Sequence, residues 1–137
     1  MQVVIVPVTP KPKDREAVLA QTASMRETLF AAGVRVKVDD SDGRSPGWKF
    51  NYWEMKGVPV RLEVGPRDVA KSACVLSRRD KPGKEGKQFG VPIEAEALLD
   101  AVREALHGVQ VRRHLACMYS CARILFCFQG HHRWTLM

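Results

Sequence analysis

The chain holds 137 residues, 45% of them hydrophobic, with a formal net charge of +7. That length fits one domain with an ordinary core, and no periodic repeat or long low-complexity tract interrupts it. Its longest apolar-rich stretch, 115–128, is broken by Ser120 and Arg123 and is too short to span a bilayer, which excludes a transmembrane reading.

Residues 2–8 form an almost continuous apolar run rich in β-branched side chains, the pattern of a strand buried on both faces. Pro10 and Pro12 end regular pairing. From 14 to 32, Val18, Thr22, Met25 and Leu29 recur at helical spacing, with Leu19 and Phe30 widening the stripe. Gly33 is placed to close this helix in the left-handed conformation. Val34, Val36 and Val38 alternate with Arg35 and Lys37 as a second strand. After an acidic loop, 39–44, Ser45 offers an N-cap oxygen and Pro46 suits the first helical position. That second helix carries Phe50 and Trp53 on one face and ends near Gly57. Val58, Val60, Leu62 and Val64 alternate with Pro59, Arg61 and Glu63, a third strand. Gly65-Pro66 turns into a short segment, 73–77 forms a fourth strand, and the turn 79–86 leads to a fifth around 87–91. Pro92 opens a final helix, with Ala95, Leu98, Leu99, Val102, Ala105 and Leu106 on one stripe, expected to stop at Gly108.

The order β-α-β-α-β-β-β-α predicts an α/β fold with helices on both faces of a sheet. Helical crossovers make the first three strands parallel, and the short turn after Ser77 makes the last two an antiparallel hairpin. One strand of five therefore opposes the rest.

The positive charge points to an anionic partner, but it is unevenly spread. Residues 109–137 carry Arg112, Arg113, Arg123 and Arg133 and no acid, while 67–87 sets seven basic residues against Asp68, Asp80 and Glu85. A local basic stripe is a nucleic-acid footprint; on composition alone it equally fits a solvated charged hairpin.

Residues 46–68 join an aromatic helix to a strand with alternate charges and close on an arginine beside an aspartate. Single-stranded RNA is recognised by stacking splayed bases on aromatic or guanidinium planes and hydrogen-bonding their edges. Guanine presents two donors on its Watson–Crick edge, suited to a carboxylate, and two Hoogsteen acceptors, suited to arginine or lysine. Acids and bases interleaved at one sheet edge have that chemistry. The motifs PGWKFNYWEMKGVP and GPRD strongly resemble the anticodon-binding domain of prolyl-tRNA synthetase, in its eukaryotic and archaeal form, over about residues 2–107. The resemblance implies a three-layer α/β/α domain of the class II synthetases. Its five-stranded mixed sheet would have the order 2-1-3-4-5, with strand four antiparallel. It also implies binding to proline anticodons, whose second and third bases are guanine.

Five residues take roles from the resemblance. Glu54, the acid following Trp53, becomes a guanine contact, where the residue alone reads as a solvated helix carboxylate. Arg61 becomes an anticodon contact, with Glu63 on the same strand face as an orienting partner. Their alternation suggests a partly open sheet face; the alternative is a pair that merely solvates it. Arg67 and Asp68, past the end of the third strand, supply a stacking plane and a base-edge acceptor, unless Asp68 only caps the following turn. Lys84, in the turn after Pro82, faces the anticodon, a place that Lys81 or Lys87 can take. Of the rings of Trp48, Phe50, Tyr52 and Trp53, Phe50 and Trp53 are assigned to the core. Lys49 is a candidate phosphate contact.

The resemblance stops after Gly108, which divides the chain into an anticodon-binding domain, 1–108, and an atypical tail, 109–137. His114, Cys117, Cys121, Cys127, His131 and His132 lack the spacing of a zinc finger or ribbon, so no metal site is assigned. The tail reads as an apolar helix over 115–128 docking on the domain, or as a non-native replacement of its end. Cys74 sits in a predicted buried strand with no basic neighbour, which argues against a thiol enzyme, and the four cysteines suggest reduced thiols. No phosphate-binding loop, nucleophile–base pair or class II catalytic motif is present, so no catalytic residue and no cofactor is assigned. Aminoacylation by this chain alone is not expected; ATP would bind a catalytic domain elsewhere in a longer synthetase. The expected partners are the tRNA for proline and that catalytic domain, with no membrane and any homodimer formed through regions outside this chain. The N-terminal residues show no secretory pattern, so the expected location is cytoplasmic. The other function class that fits is an accessory or protein-interaction domain of the same fold, docking through its aromatic helix without reading RNA.

Overall fold

The computed structural model describes residues 1–9, 12–81 and 83–129. The break expected at Pro10, the turn residue Pro82 and the tail's His131 and His132 lie outside them. β1 (Val3–Pro7) is buried along its whole length, as its unbroken apolar run dictates. β2 (Val36–Val38) and β3 (Val60–Val64) flank it in parallel, with Val3 opposite Val36 on one side and Val60 on the other. β4 (Ala73–Arg78) and β5 (Lys87–Pro92) complete one sheet of order β2-β1-β3-β4-β5. β4 runs antiparallel to both its neighbours, so the expected mixed sheet is the one observed.

Local chemistry sets the helices. α1 (Arg15–Ala31) buries Val18, Thr22, Met25 and Leu29, and Gly33 follows it at φ +79°, left-handed as predicted. Ser45 Oγ accepts the Trp48 N–H at 3.3 Å, and Pro46 takes the first position of α2 (Pro46–Met55). α3 (Pro66–Ala70) is a helix that the sequence pattern passes over, because five residues are too few to display an apolar period.

Helix placement leaves the two sheet faces unequal. On one, Ile5, Leu62 and Leu76 pack against Met25 and Leu29 of α1 and against Leu98 from the last helix, α4 (Ala95–Gln129). On the other, Val4 and Val6 of β1 pack against Trp53 of α2, with Phe50 beside it. α2 therefore lies over β1. The neighbouring face of β3, β4 and β5, which carries Arg61, Glu63, Ser77 and Lys87, is flanked by α2 rather than covered.

α4 does not stop at Gly108, contrary to the sequence expectation. Gly108 is not in the left-handed conformation that a terminating glycine adopts. Its missing side chain instead makes room for Arg78, whose guanidinium atoms stand 2.6–2.9 Å from where a Cβ would lie. Val109 is the last buried residue of the helix among those with described side chains. Val111, Leu115 and Met118 are exposed, and the side chains of 119–128, the rest of the stretch on which the docking expectation rests, lie outside those described. No described helix is long and apolar enough to cross a membrane.

Candidate nucleic-acid interface

Arg61 is the second residue of β3 and points to the face that α2 only flanks. It is 7% exposed. Burying a guanidinium is tolerated only when its donors are met, and here they are. Nη1 donates to Glu54 Oε1 at 2.6 Å and to the Phe50 carbonyl at 3.4 Å; Nε donates to Glu63 Oε1 at 3.1 Å; Nη2 donates to Ser77 Oγ at 3.2 Å. The Phe50 ring lies under the guanidinium, 4.2 Å from its carbon to the ring centroid. The antiparallel register, which sets Arg61 opposite Ser77, supplies the hydroxyl. Glu63 in turn accepts both branches of a salt bridge from Lys87 Nζ, at 2.9 Å to each oxygen.

The outcome is one connected network, Glu54–Arg61–Glu63–Lys87, spanning α2, β3 and β5. Glu63 is its orienting partner, as expected. Glu54 is the exposed end, its side chain 45% accessible against 12% for Glu63. A carboxylate has about four lone-pair sites, so Glu54 keeps acceptor capacity beyond the bond from Arg61. Beside it opens a cavity of about 500 Å³ lined by Arg61, Ser77, Arg79, Lys84 and Phe89 among others. Phe89 offers an exposed ring there. At the root of the hairpin, Asp80 accepts from Arg78 Nε at 3.0 Å and Nη2 at 2.8 Å and lies 3.9 Å from Arg112 of α4. Those bonds hold its carboxyl below the usual range despite burial, and tie the hairpin to the helix.

Glu54, Arg61 and Lys84 therefore meet around one cavity, Lys84 from the exposed turn between β4 and β5. Arg67 and Asp68 do not join them. They lie past the carboxyl end of β3, with roughly 13 Å of strand between Arg61 and Gly65. Asp68 Oδ2 accepts the Gly65 N–H at 3.0 Å, capping α3, while Arg67 is exposed. Ser77, Arg79 and Phe89 escaped the sequence reading, since only strand register brings them beside Arg61.

Lys49 is corrected. Its ammonium is buried, not offered to a phosphate: Nζ donates to the Asp39 carbonyl at 3.0 Å and stands 3.7 Å from Asp39 Oδ1. Trp53 Nε1 donates to the other carboxylate oxygen at 2.6 Å, and Ser41 also donates to Asp39. This cluster pins α2 to the loop after β2. Trp53 is buried and Phe50 partly so, in keeping with the core role read for both. Among the described residues, no group of three or more His, Cys, Asp or Glu is arranged to hold a metal.

The sheet topology and this charged, uncovered face define a class, and sequence comparison agrees. The family described as "Anticodon binding domain" matches residues 2–113, and the chain belongs to it. Within that family the span corresponds to the anticodon-binding domain of proline–tRNA ligases. Similar proteins include the chloroplastic/mitochondrial proline–tRNA ligase of Arabidopsis thaliana, 54% identical over 110 residues, covering 80% of this chain and 20% of that protein. The proline–tRNA ligase of Pyrococcus abyssi is 51% identical over 109 residues, covering 80% and 21%. That of Chloroflexus aurantiacus is 49% identical over 110 residues, covering 77% and 23%. The chain thus spans about a fifth to a quarter of the length of these relatives.

Proposed function

We propose that this chain reads the guanines of a proline tRNA anticodon, with Glu54 as the base-edge acceptor at the basic cavity. The observation that carries this reading is the buried Arg61, which holds an accessible carboxylate beside Lys84 on a face that none of the described helices covers. Arg61's own donors are occupied, so its part is to fix Glu54 rather than to offer free N–H groups; a direct base contact requires it to exchange one of those bonds. Lys84 and Arg79 attract the loop phosphates or the Hoogsteen acceptors of guanine. Arg67 and Asp68 form a second contact at the far end of β3, where Arg67 is exposed and Asp68 is already committed as a cap.

Residues 1–108 form the reading module, and 109–129 extend its last helix. Aminoacylation, with its ATP, belongs to the part of a ligase outside this span, and the catalytic domain is a partner along with the tRNA. The compartment is one with protein synthesis. A cytoplasmic location was expected from the sequence, yet the Arabidopsis relative's chloroplastic/mitochondrial name makes an organelle an equal proposal, settled by imaging a tagged full-length protein.

Binding of a proline anticodon stem-loop, compared with loops in which either guanine is changed, tests the function. Run at two salt concentrations, it separates readout from phosphate attraction. Loss of affinity on changing a guanine supports the reading. Equal binding to every loop rejects it.

A further inference from the structure

The outer face of α2 carries a pile of rings and cations that the Arg61 network does not use and that meets the core only where Tyr52 packs edge-on against Trp53, centroids 5.1 Å apart. Trp48 and Tyr52 stand one helical turn apart on α2, and Arg44 from the preceding loop and Lys56 at the C-cap extend the pile at its two ends. The Trp48 and Tyr52 rings stack with centroids 5.0 Å apart and planes 13° from parallel. The Arg44 guanidinium lies 4.7 Å from the indole centroid at one end, and the Lys56 ammonium 5.4 Å from the phenol ring at the other. Met55, 86% exposed, extends the apolar surface. Trp48 and Tyr52 each stand two residues from a member of the sheet-face site, Phe50 and Glu54, so they project from nearly the opposite side of the helix.

We propose that this ladder is a second RNA-binding surface, a stacking platform for unpaired bases of a single strand. Two large rings, 44% and 36% exposed and already stacked on each other, are pre-ordered for a planar partner, and every base has a π-face to offer. The ladder contains two cations and no acid, which suits a phosphate backbone. Of the acids in the preceding loop, Asp39 is engaged by Lys49 and Trp53 and Asp42 by Arg15, while Asp40 is exposed beside the Arg44 end. Arg44 and Lys56 sit at the ends of the pile on flexible stems. An arriving base takes the ring face, and the displaced cation turns to the phosphate beside it. An acidic peptide would answer the cations but leave the ring faces without a flat partner. A second copy of the chain would bring like charges together. The surface is distinct from the guanine-reading site in its side chains, its side of α2 and its lack of any need for guanine.

Fluorescence anisotropy of a labelled RNA octamer of adenosine and uridine addresses this face without offering guanine. Salt-dependent binding by the parent is expected, falling about fivefold to a hundredfold in Trp48→Ala/Tyr52→Ala. Both rings are exposed, and circular dichroism and thermal melting establish that the double variant folds. The same variant is expected to keep the parent's guanine preference among anticodon stem-loops. Equal octamer binding by parent and variant, or none by the parent, overturns the proposal. Self-association of the parent that vanishes in the variant, without octamer binding, assigns the face to a second copy and also overturns it. Octamer binding that depends on the rings, beside stem-loops bound without guanine preference, rejects the anticodon reading and leaves this one standing.

Discussion

Replacing Lys49 by methionine separates two roles that the sequence allows for one residue. The structure buries the ammonium, 5% exposed, against the carbonyl and carboxylate of Asp39. Methionine keeps an unbranched apolar stem while removing the charge and the donor. What is lost is a hydrogen bond from a charged donor, about 1.5–3 kcal/mol, and the cation that offsets a poorly solvated carboxylate. Breaking a buried pair costs about 3–5 kcal/mol. Asp39 keeps its hydrogen bonds from Ser41 and Trp53, so the lower end, ~3 kcal/mol, is expected. For a domain of this size that lowers Tm by roughly 10–15 °C. A pH signature accompanies the loss. Burial pushes the Asp39 carboxyl up, but the hydrogen bonds from Ser41 and Trp53 and the Lys49 charge outweigh it and hold the group below the usual range. A carboxylate depressed in the folded state contributes stability that is fully present above its unfolded pKa of about 4 and lost as pH falls through the folded value. The difference between parent and variant is therefore full at neutral pH and shrinks below about pH 4, where a neutral carboxyl no longer needs the cation. Urea unfolding followed by circular dichroism across pH measures the loss, and stem-loop anisotropy measures binding by the folded variant, expected to match the parent. A variant as stable as the parent that binds all RNA more weakly would refute the buried pair and restore the phosphate contact.

Glu54→Gln should leave stability nearly unchanged, because the side chain is half-exposed, and lower the preference for guanine-bearing loops by about 1–3 kcal/mol. Competition binding between matched stem-loops reads that preference. Gly86→Ala should destabilise by about 1–3 kcal/mol in urea unfolding, since a Cβ there would collide with the Lys81 carbonyl oxygen and stand 2.9 Å from that of Arg78. The same shift displaces the turn bearing Lys84 and weakens stem-loop binding. Cys74 is buried, and burial followed by the charge of Asp68 pushes its thiol up to about 12. It should resist iodoacetamide at neutral to mildly alkaline pH in the folded protein, while exposed Cys117 reacts; peptide mass mapping with Cys74 labelled as fast as Cys117 would contradict this.

What the sequence made legible was whatever is local. Gly33, Ser45 and Pro46 announce helix ends through conformations and hydrogen bonds that their own backbones need, and the alternation at Arg61 and Glu63 marked a face left open. Interactions closed by distant chain were hidden. Gly108 reads as a helix stop until Arg78, thirty positions earlier, is seen to fill its place. Lys49 reads as a surface cation until the loop after β2 brings Asp39 over it. Arg61 reads as a guanidinium with Glu63 as its one partner, yet Ser77 arrives through antiparallel register and Lys87 through the next hairpin to complete its network. Residue type was thus a guide to which side chains bring charge to this sheet face, and a poor one to which of them keeps free hydrogen-bonding capacity.

The most direct test of the account is a double-mutant cycle between Glu54 and the guanine amine. Parent and Glu54→Gln are each titrated with the proline anticodon stem-loop and with versions carrying inosine, which lacks the exocyclic amine, at either guanine. If the Glu54 carboxylate accepts from that edge, inosine at one position weakens the parent by about tenfold and Glu54→Gln far less, a coupling of roughly 1 kcal/mol or more. Additive effects at both positions would mean that Glu54 does not touch the base, and would remove the carboxylate held by Arg61 as the guanine reader.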